Sequence, residues 1–466
     1  MPSYYLTVGK GLESFAHQSL VECLSQSENG LLDCVNYCDG KLFFVTKQPL
    51  DRRYCERNER GCGLKGCEQL YATVVHVRNP WKDIHVNDRT RVIGRIFDIL
   101  TTRGCEEIWQ NAYRNAQGFM KISTQNNKPI IDEPSFKKAR CAAEGDEFST
   151  ELTSTAVSAT GTTSTAINNQ TSVAQPQTFR WYVKLRGIAA SRNKLNPERL
   201  AQQLSGRLAQ RTDWRPAYSS TSTNKSRTER DTSSGQIKIS LRLNDASLTC
   251  GIQCDHANFA VRLYLRNCCL RPTVADAMLA VADIKPGDVV LDPFVGSGTI
   301  LIELMSRCLN SATSATFLSL IGVDCCGERT LECSNNIRHA HESLVRVGGN
   351  RFDCMRMTGI NILQADAVCL PFKNGTIDKI ITDAPFGQKD LSQNQIKSLY
   401  TEMFREFDRV LKQNYNRNCE ITLLTAQEHV SLVKDITLNT SNVGRFAIKQ
   451  TWNISMGQTN ATLLCI

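Results

Sequence analysis

Four aspartates in the C-terminal half of the chain come at, or just after, the end of an apolar run. Asp292 follows V-V-L, Asp324 follows L-I-G-V, Asp366 follows I-L-Q-A, and Asp383 follows K-I-I-T. Such runs predict buried strands, and the carboxyl ends of parallel strands meet at the edge of a sheet where ligands bind. The pattern therefore predicts a ligand site lined by acids.

The first of these acids opens the turn D-P-F-V-G-S-G-T, residues 292–299. Its glycines allow the backbone to approach a ligand more closely than a Cβ would permit. Their spacing matches neither the dinucleotide-binding loop nor the P-loop, and the leading acid would repel phosphate. We predict that this turn contacts a cofactor through Asp292, Pro293, Phe294, Gly296, Gly298 and Thr299.

The next two acids indicate what that cofactor is. Asp324 is placed to accept hydrogen bonds from a ribose diol, as acids at this position do in dinucleotide folds. Asp366, followed by Ala367, is placed to accept from an adenine amino group. A ligand with an amino acid end, a ribose and an adenine, but no phosphate, fits S-adenosylmethionine.

The fourth acid begins D-A-P-F, residues 383–386, which resembles the [D/N/S]-P-P-[Y/F] signature of amino-group methyltransferases. There an aromatic ring stacks on a flipped base while an acid or amide holds the exocyclic amine. A carboxylate would orient the weakly nucleophilic amine and stabilise the positive charge that develops on it. We predict Asp383, Pro385 and Phe386 as catalytic residues. The motif does not distinguish guanine from adenine as the target base. A structural role, in which Asp383 caps the turn and Phe386 belongs to the core, is an alternative.

Regular alternation of strands and helices from about residue 270 positions these side chains. Apolar strands between helices predict an α/β fold with a mostly parallel, doubly wound sheet. The predicted strands cover 288–294, 317–325, 359–367, 377–385 and 421–426, and the helices cover 299–308, 327–344 and 398–412.

The N-terminal half reads as an α+β region. A strand and an amphipathic helix open the chain, and we predict strands over 41–47, 178–187, 236–244 and 246–254 with a helix over 196–211. Two polar low-complexity stretches, 148–177 and 218–236, contain too few apolar residues to offset the entropy of ordering. We predict an RNA-binding region over 1–256, with these stretches as disordered insertions, and a catalytic domain over 257–466.

Charge is distributed unevenly between the two halves. The chain has 466 residues and a net charge of +9. Residues 1–256 carry 34 lysines and arginines against 26 aspartates and glutamates, whereas residues 257–466 carry 21 against 20. The N-terminal half is therefore the expected contact for a polyanion.

Other features narrow the class of protein. No leader with a basic start and an apolar stretch opens the chain, and no run of 18 uncharged apolar residues occurs, so we expect neither secretion nor contact with a membrane. The 20 cysteines are scattered without paired C-x-x-C units, so we predict reduced thiols and no metal site. These features favour the nucleus or the cytoplasm.

Four segments together resemble the THUMP-domain RNA methyltransferases that make N2-methylguanosine. They are S-Y-Y-L-T-V-G-K-G-L-E-S-F at 3–15, residues 270–303, I-T-D-A-P-F-G-Q-K at 381–389, and I-S-M-G-Q-T-N-A-T-L-L-C-I at 454–466. The resemblance implies a ferredoxin-like plus THUMP region before a Rossmann-like methyltransferase domain with a terminal antiparallel hairpin. It also implies S-adenosylmethionine as cofactor and a small zinc-binding activator subunit as partner.

The substrate implied by this resemblance is a guanosine in structured RNA. The opening segment and residues 270–278 are most similar to a paralogue that acts on a spliceosomal small nuclear RNA, whereas its sisters act on tRNA. The family pattern D-[P/L]-P-[F/Y]-G has Ala384 at its second position, where we expect the backbone carbonyl to matter most. Because of this departure an inactive RNA-binding scaffold stays open. A protein glutamine methyltransferase is disfavoured by the basic N-terminal half.

Overall fold

The computed structural model describes most of both halves of the chain. The described residues are 1–25, 31–37, 40–50, 67–101, 105–117, 177–217, 236–258, 270–309, 318–346, 359–387, 392–413, 419–439, 446–457 and 459–466. The two predicted insertions lie outside these residues, apart from Gln177 and Gln236, and so they stay predictions.

The first sheet has eight strands in the order β2-β3-β1-β4-β8-β7-β5-β6. Neighbouring strands are antiparallel, except that β5 runs parallel to β6 and β7. The strands are β1 (Ser3–Val8), β2 (Leu31–Tyr37), β3 (Lys41–Thr46), β4 (Cys67–Arg78), β5 (Thr178–Leu185), β6 (Arg215–Pro216), β7 (Ile237–Leu243) and β8 (Ser247–Asn258). The helices between them are α1 (Glu13–Ser25), α2 (Arg89–Thr101), α3 (Cys105–Gln117), α4 (Ile188–Arg192) and α5 (Pro197–Ala209).

Helix α5 shows how the sequence builds this half. The Asn196 side chain accepts from the amides of Glu198 and Arg199 at 2.9 and 3.0 Å, which satisfies donors at the helix start. Buried leucines then recur every four residues, at 200, 204 and 208, so that one face of the helix packs on the sheet.

The second sheet has seven strands in the order β11-β10-β9-β12-β13-β15-β14. Strands β9 to β13 are parallel, whereas β15 runs antiparallel to both β13 and β14. This arrangement confirms the predicted mostly parallel sheet with a terminal antiparallel hairpin. The strands are β9 (Val289–Asp292), β10 (Ser319–Asp324), β11 (Ile360–Gln364), β12 (Lys379–Asp383), β13 (Ile421–Ala426), β14 (Gln450–Met456) and β15 (Thr459–Cys465).

Two apolar clusters cover the second sheet. One contains Val290 and Leu320, and the other contains Leu291 and Ile380. The helices of this half are α6 (Pro272–Val281), α7 (Thr299–Leu309), α8 (Gly327–Arg346), α9 (Gln393–Val410) and α10 (Val430–Asn439), and a 3₁₀ turn covers Gln427–His429. Within the described residues, no helix is both long enough and apolar enough to cross a membrane.

Two parts of the fold differ from the sequence-based expectation. Helix α9 begins five residues before the predicted start at 398, because Ser392 and Gln395 form a capping box that fixes its first turn. No element was predicted between residues 67 and 117. There the structure has α2, α3 and the long central strand β4, which pairs with β1 and β8.

The G-K-G-L-E turn after β1 contacts the C-terminal hairpin. Leu12 is fully buried within an apolar cluster of the second sheet, and Phe15 lies 5.6 Å from Trp452 between ring centroids. The Ser455 amide donates to the Lys10 carbonyl at 3.0 Å. Gly11 has φ +92°, and a Cβ there would overlap a backbone carbonyl of β14. The turn is thus shaped to fit the hairpin.

Candidate active site

The structure brings the four aspartates to one edge of the second sheet. Strands β11, β10, β9 and β12 are consecutive neighbours, so their carboxyl ends lie side by side. Asp292, Asp324 and Asp383 are the last residues of their strands, whereas Asp366 lies two residues beyond β11. The predicted strand over 359–367 was therefore too long at its end.

The turn after β9 is closed by backbone contacts. Gly296 and Gly298 have φ values of +50° and +86°, a region that glycine occupies without strain. The Gly298 amide donates to the Val295 carbonyl at 2.8 Å, and Thr299 begins α7 as a buried residue. A Cβ on Gly298 would lie 2.8 Å from Cys333 Sγ, whereas one on Gly296 would meet only the Phe294 carbonyl oxygen, at 3.9 Å. A side chain at 296 would thus fill space that a ligand can occupy.

Asp324 connects this turn to the next strand. Its Oδ2 accepts from the Gly296 amide at 3.2 Å and its Oδ1 accepts from the Cys326 amide at 2.9 Å. Each carboxylate oxygen has a second lone pair, so these bonds leave acceptor capacity. Asp324 therefore holds the glycine turn, and its contact with a ribose stays a prediction.

The remaining predicted cofactor residues lie around this edge. Pro293 is buried, and Phe294 is half-buried against the cluster that contains Leu291. Asp366 is exposed and its Oδ1 accepts from the Val368 amide at 3.1 Å, while Ala367 is buried. Asp366 thus closes its own turn at the outer end of the row of acids.

Two carboxyl groups lie at the centre of the edge, where Asp292 is buried and Asp383 is half-buried with a buried Oδ1. Asp292 Oδ1 accepts from the Thr382 hydroxyl at 2.8 Å and from the Phe294 amide at 3.2 Å. Burial raises the pKa of Asp292 to about 7. Burial and the nearby Asp292 charge raise the pKa of Asp383 to about 7 as well.

Asp383 has one oxygen without a partner. Its Oδ1 is buried and accepts no hydrogen bond from any described residue. Burying such an acceptor unsatisfied is costly, and native structures usually provide a partner from a ligand or water. This oxygen is therefore suited to accept from an N–H group of a bound substrate.

The rest of the D-A-P-F-G turn is fixed by its backbone. The Ala384 amide donates to the Leu424 carbonyl at 3.0 Å, and the Ala384 side chain is buried. Phe386 is half-buried and packs against an apolar cluster, so part of its ring is accessible. Gly387 has φ +68°, which ends the turn.

Two site residues were missed by the sequence analysis. Thr382 supplies a hydrogen bond to Asp292, and the Tyr400 hydroxyl lies 3.2 Å from the Pro385 carbonyl. Thr382 stands next to Asp383 in the sequence, so a polar residue inside a buried strand was a usable signal. Tyr400 lies on α9, 15 residues after Pro385, and helical periodicity there indicates only a core position.

The raised pKa of the Asp383 carboxyl gives a pH-dependent prediction. An unfolded aspartate ionises near its usual value of 3.8, but the folded one keeps its proton up to about 7. Between these values the folded state binds more protons, so its stability falls as pH rises. We expect Asp383→Asn, which removes this titration, to melt about 2–4 °C above wild type at pH 8, with a smaller gap at pH 5.

Thermal melts across this pH range test the prediction, with Asp435→Asn, an exposed position of α10, as the control. The control should follow wild type at every pH. A constant difference between Asp383→Asn and wild type would contradict the assigned burial.

Comparison with known proteins places this geometry among methyltransferases. The family model described as RMKL-like, methyltransferase domain, matches residues 260–452. The U6 snRNA (guanine-N(2))-methyltransferase THUMPD2 of Bos taurus is 25% identical over 464 residues, which cover 91% of this chain and 78% of that protein. The tRNA (guanine(6)-N(2))-methyltransferase THUMP3 of Bos taurus is 26% identical over 194 residues, covering 41% of this chain and 36% of that protein.

Solved structures share the fold. TrmN from Thermus thermophilus superimposes with a TM-score of 0.54 at 17% identity, covering 100% of this chain and 98% of that chain. SMU.472, a putative methyltransferase solved in complex with SAH, has a TM-score of 0.54 at 13% identity and covers 99% of this chain and 97% of that chain. The predicted fold class is confirmed by these similarities.

Proposed function

We propose that the chain belongs to the family of THUMP-domain RNA guanine-N2-methyltransferases and that it methylates the N2 amine of a guanosine in a structured RNA, with S-adenosylmethionine as methyl donor. The observation that carries this proposal is the buried, unpartnered Oδ1 of Asp383 at the end of β12, three residues before a partly accessible Phe386 ring.

Methyl transfer to a base requires a hydrogen-bond acceptor beside the exocyclic amine. The lone pair of the exocyclic amine is delocalised into the base, so the nitrogen is a poor nucleophile. The Asp383 carboxylate would accept an N–H bond, orient the amine, and stabilise the positive charge that develops on nitrogen as its bond to the methyl carbon forms and the methyl–sulfur bond of the donor breaks. It then takes the surplus proton, and the Phe386 ring holds the flipped base by stacking.

The other acids suit the cofactor. S-adenosylmethionine, when bound, supplies an electrophilic methyl group on its sulfonium. The uncrowded backbone at Gly296, the Gly298 turn and the carboxylates of Asp292, Asp324 and Asp366 suit a ligand that carries amines and hydroxyls but no phosphate. In this assignment Asp324 binds the ribose, Asp366 and Ala367 bind the adenine, and Asp292 faces the amino acid end.

We propose a spliceosomal small nuclear RNA as the substrate, since the relative aligned over 91% of this chain is named for U6 snRNA. A tRNA is the second candidate, because the other relative is named for tRNA. A catalytically inactive RNA-binding scaffold is the third, because Ala384 replaces the residue that the family has at this position.

The proposed family also implies partners and a location for the protein. We propose that residues 1–256 bind the RNA, in line with their positive charge, and that a small zinc-binding activator subunit assists transfer. The scattered spacing of the cysteines suits a reducing compartment, and we propose the nucleus or the cytoplasm as the location.

Nucleoside mass spectrometry tests the proposed function. After loss of this chain from cells, N2-methylguanosine should disappear from purified small nuclear RNA and be unchanged in tRNA. Re-expression of the chain should restore it, whereas Asp383→Ala should not. Loss of the nucleoside from tRNA alone would select the second substrate, and unchanged levels in both RNA classes would favour the scaffold.

A further inference from the structure

A buried tyrosine of α9 reaches the D-A-P-F-G turn from the interior of the protein. Tyr400 is completely buried, and its hydroxyl lies 3.2 Å from the Pro385 carbonyl oxygen and 2.7 Å from Thr425 Oγ1. Its helix neighbours on the same face, Phe404 and Phe407, are buried in the same apolar cluster. A phenylalanine would fill the same volume, so the hydroxyl at 400 requires its own explanation.

The direction of these hydrogen bonds follows from their chemistry. A carbonyl oxygen only accepts, so the single phenol proton must go to Pro385 for that bond to exist. Thr425, fully buried on β13, then donates its own proton to the Tyr400 oxygen. Burial raises the pKa of Tyr400, so the phenol keeps this proton at any working pH. The Thr425 hydroxyl therefore donates to Tyr400, and the Tyr400 hydroxyl donates to the Pro385 carbonyl.

Three anchors hold the turn between Asp383 and the end of the motif. The Ala384 amide is bonded to β13, and Ile396 lies where a side chain on Gly387 would be, since a Cβ there would meet Ile396 Cδ1 at 2.8 Å. The Pro385 carbonyl is the middle anchor. Because this carbonyl shares a peptide plane with the Phe386 amide, fixing it fixes the direction from which the Phe386 ring leaves the chain.

We propose that Tyr400 and Thr425 are positioning residues that hold the Pro385 carbonyl, so that the Phe386 ring and the Asp383 carboxylate meet the target base in register. This proposal rests on the proposed methyl transfer to a base, but its structural half does not depend on which RNA is the substrate. Neither residue touches the base itself.

The kinetic test uses Tyr400→Phe, Thr425→Val and Thr425→Ser in the full-length chain, with a U6 snRNA transcript and labelled S-adenosylmethionine. We expect Tyr400→Phe and Thr425→Val to lower kcat about tenfold, the scale for losing one hydrogen bond that orients reacting groups, while KM for RNA and cofactor affinity stay within about twofold. Thr425→Ser keeps the hydroxyl and should retain the wild-type rate. The double variant Tyr400→Phe/Thr425→Val should be no slower than either single variant, because both substitutions interrupt the same series of hydrogen bonds.

Tyr4→Phe is the matched control. It removes another buried phenol, one that accepts from the Leu50 amide at 2.9 Å in the first sheet. It should lower the melting temperature much as Tyr400→Phe does, yet leave kcat unchanged. If both tyrosine variants lower kcat equally, Tyr400 acts only through general stability and the proposal is overturned.

Hydrogen exchange separates this proposal from the proposed function. Peptides that span Asp383–Gly387 should exchange faster in Tyr400→Phe and Thr425→Val than in wild type, Thr425→Ser or Tyr4→Phe, whether or not the transcript is methylated. Faster exchange with no wild-type methylation would support the positioning role and count against the substrate. Unchanged exchange in this segment would overturn the positioning role even in an active enzyme.

Discussion

Asp383→Ala should methylate RNA about two to three orders of magnitude more slowly than wild type in a single turnover, the scale seen when one preorganised contact to the transition state is lost. The structure makes this variant informative. Asp383 Oδ1 has no partner among the described residues, and the bonds that Asp292 accepts from Thr382 and Phe294 do not involve Asp383. The effect should therefore appear in the chemical step.

The affinity for the cofactor distinguishes the role of Asp383 from that of Asp292. Calorimetry should give nearly the wild-type Kd for S-adenosylmethionine with Asp383→Ala. Asp292→Ala should instead weaken cofactor binding first, because Asp292 belongs to the turn that carries Gly296 and Gly298. Near wild-type methylation by Asp383→Ala would mean that the strand ends on this acid for structural reasons.

Phe386→Ala should weaken capture of the target base by about 1–3 kcal/mol, the range measured for losing one base–aromatic stack. The loss should appear mainly in KM for RNA, with a smaller change in the rate from saturated complex. Because the half-buried ring packs against an apolar cluster, the alanine should also lower the melting temperature.

Two conservative variants separate stacking from packing. Phe386→Tyr keeps the aromatic face and should bind RNA nearly as wild type, whereas Phe386→Leu keeps most of the packing without the stack and should behave like alanine in RNA binding. Equal RNA affinity for the tyrosine, leucine and alanine variants would show that this ring belongs to the core alone.

The second sheet could be predicted largely from local patterns. Apolar runs ending on Asp292, Asp324 and Asp383 mark its strands because parallel strands are buried on both faces and need little else. The long strand β4 was missed because its half-buried pattern becomes a strand only through pairing with segments far away in the chain.

The candidate site could be predicted from the sequence only where its residues lie close together along the chain. Asp383 and Phe386 are only three residues apart in sequence, so a motif is enough to find them. Tyr400 reaches Pro385 across the packing of α9 on the sheet, and the pattern of α9 shows only that position 400 faces inward. The capping residue Ser392 could have been found, since S-x-x-Q is a local signal for a helix start.

The contact of Leu12 with the C-terminal hairpin determines where the chain can be divided. A fragment beginning at residue 257 would keep the whole second sheet but lose a fully buried leucine from its core and the ring that packs on Trp452. An apolar surface would be left open to solvent, which favours aggregation. Chimeras that exchange N-terminal halves between relatives would therefore need to carry a matched pair of segments, the turn at 9–15 and the hairpin strand at 450–456.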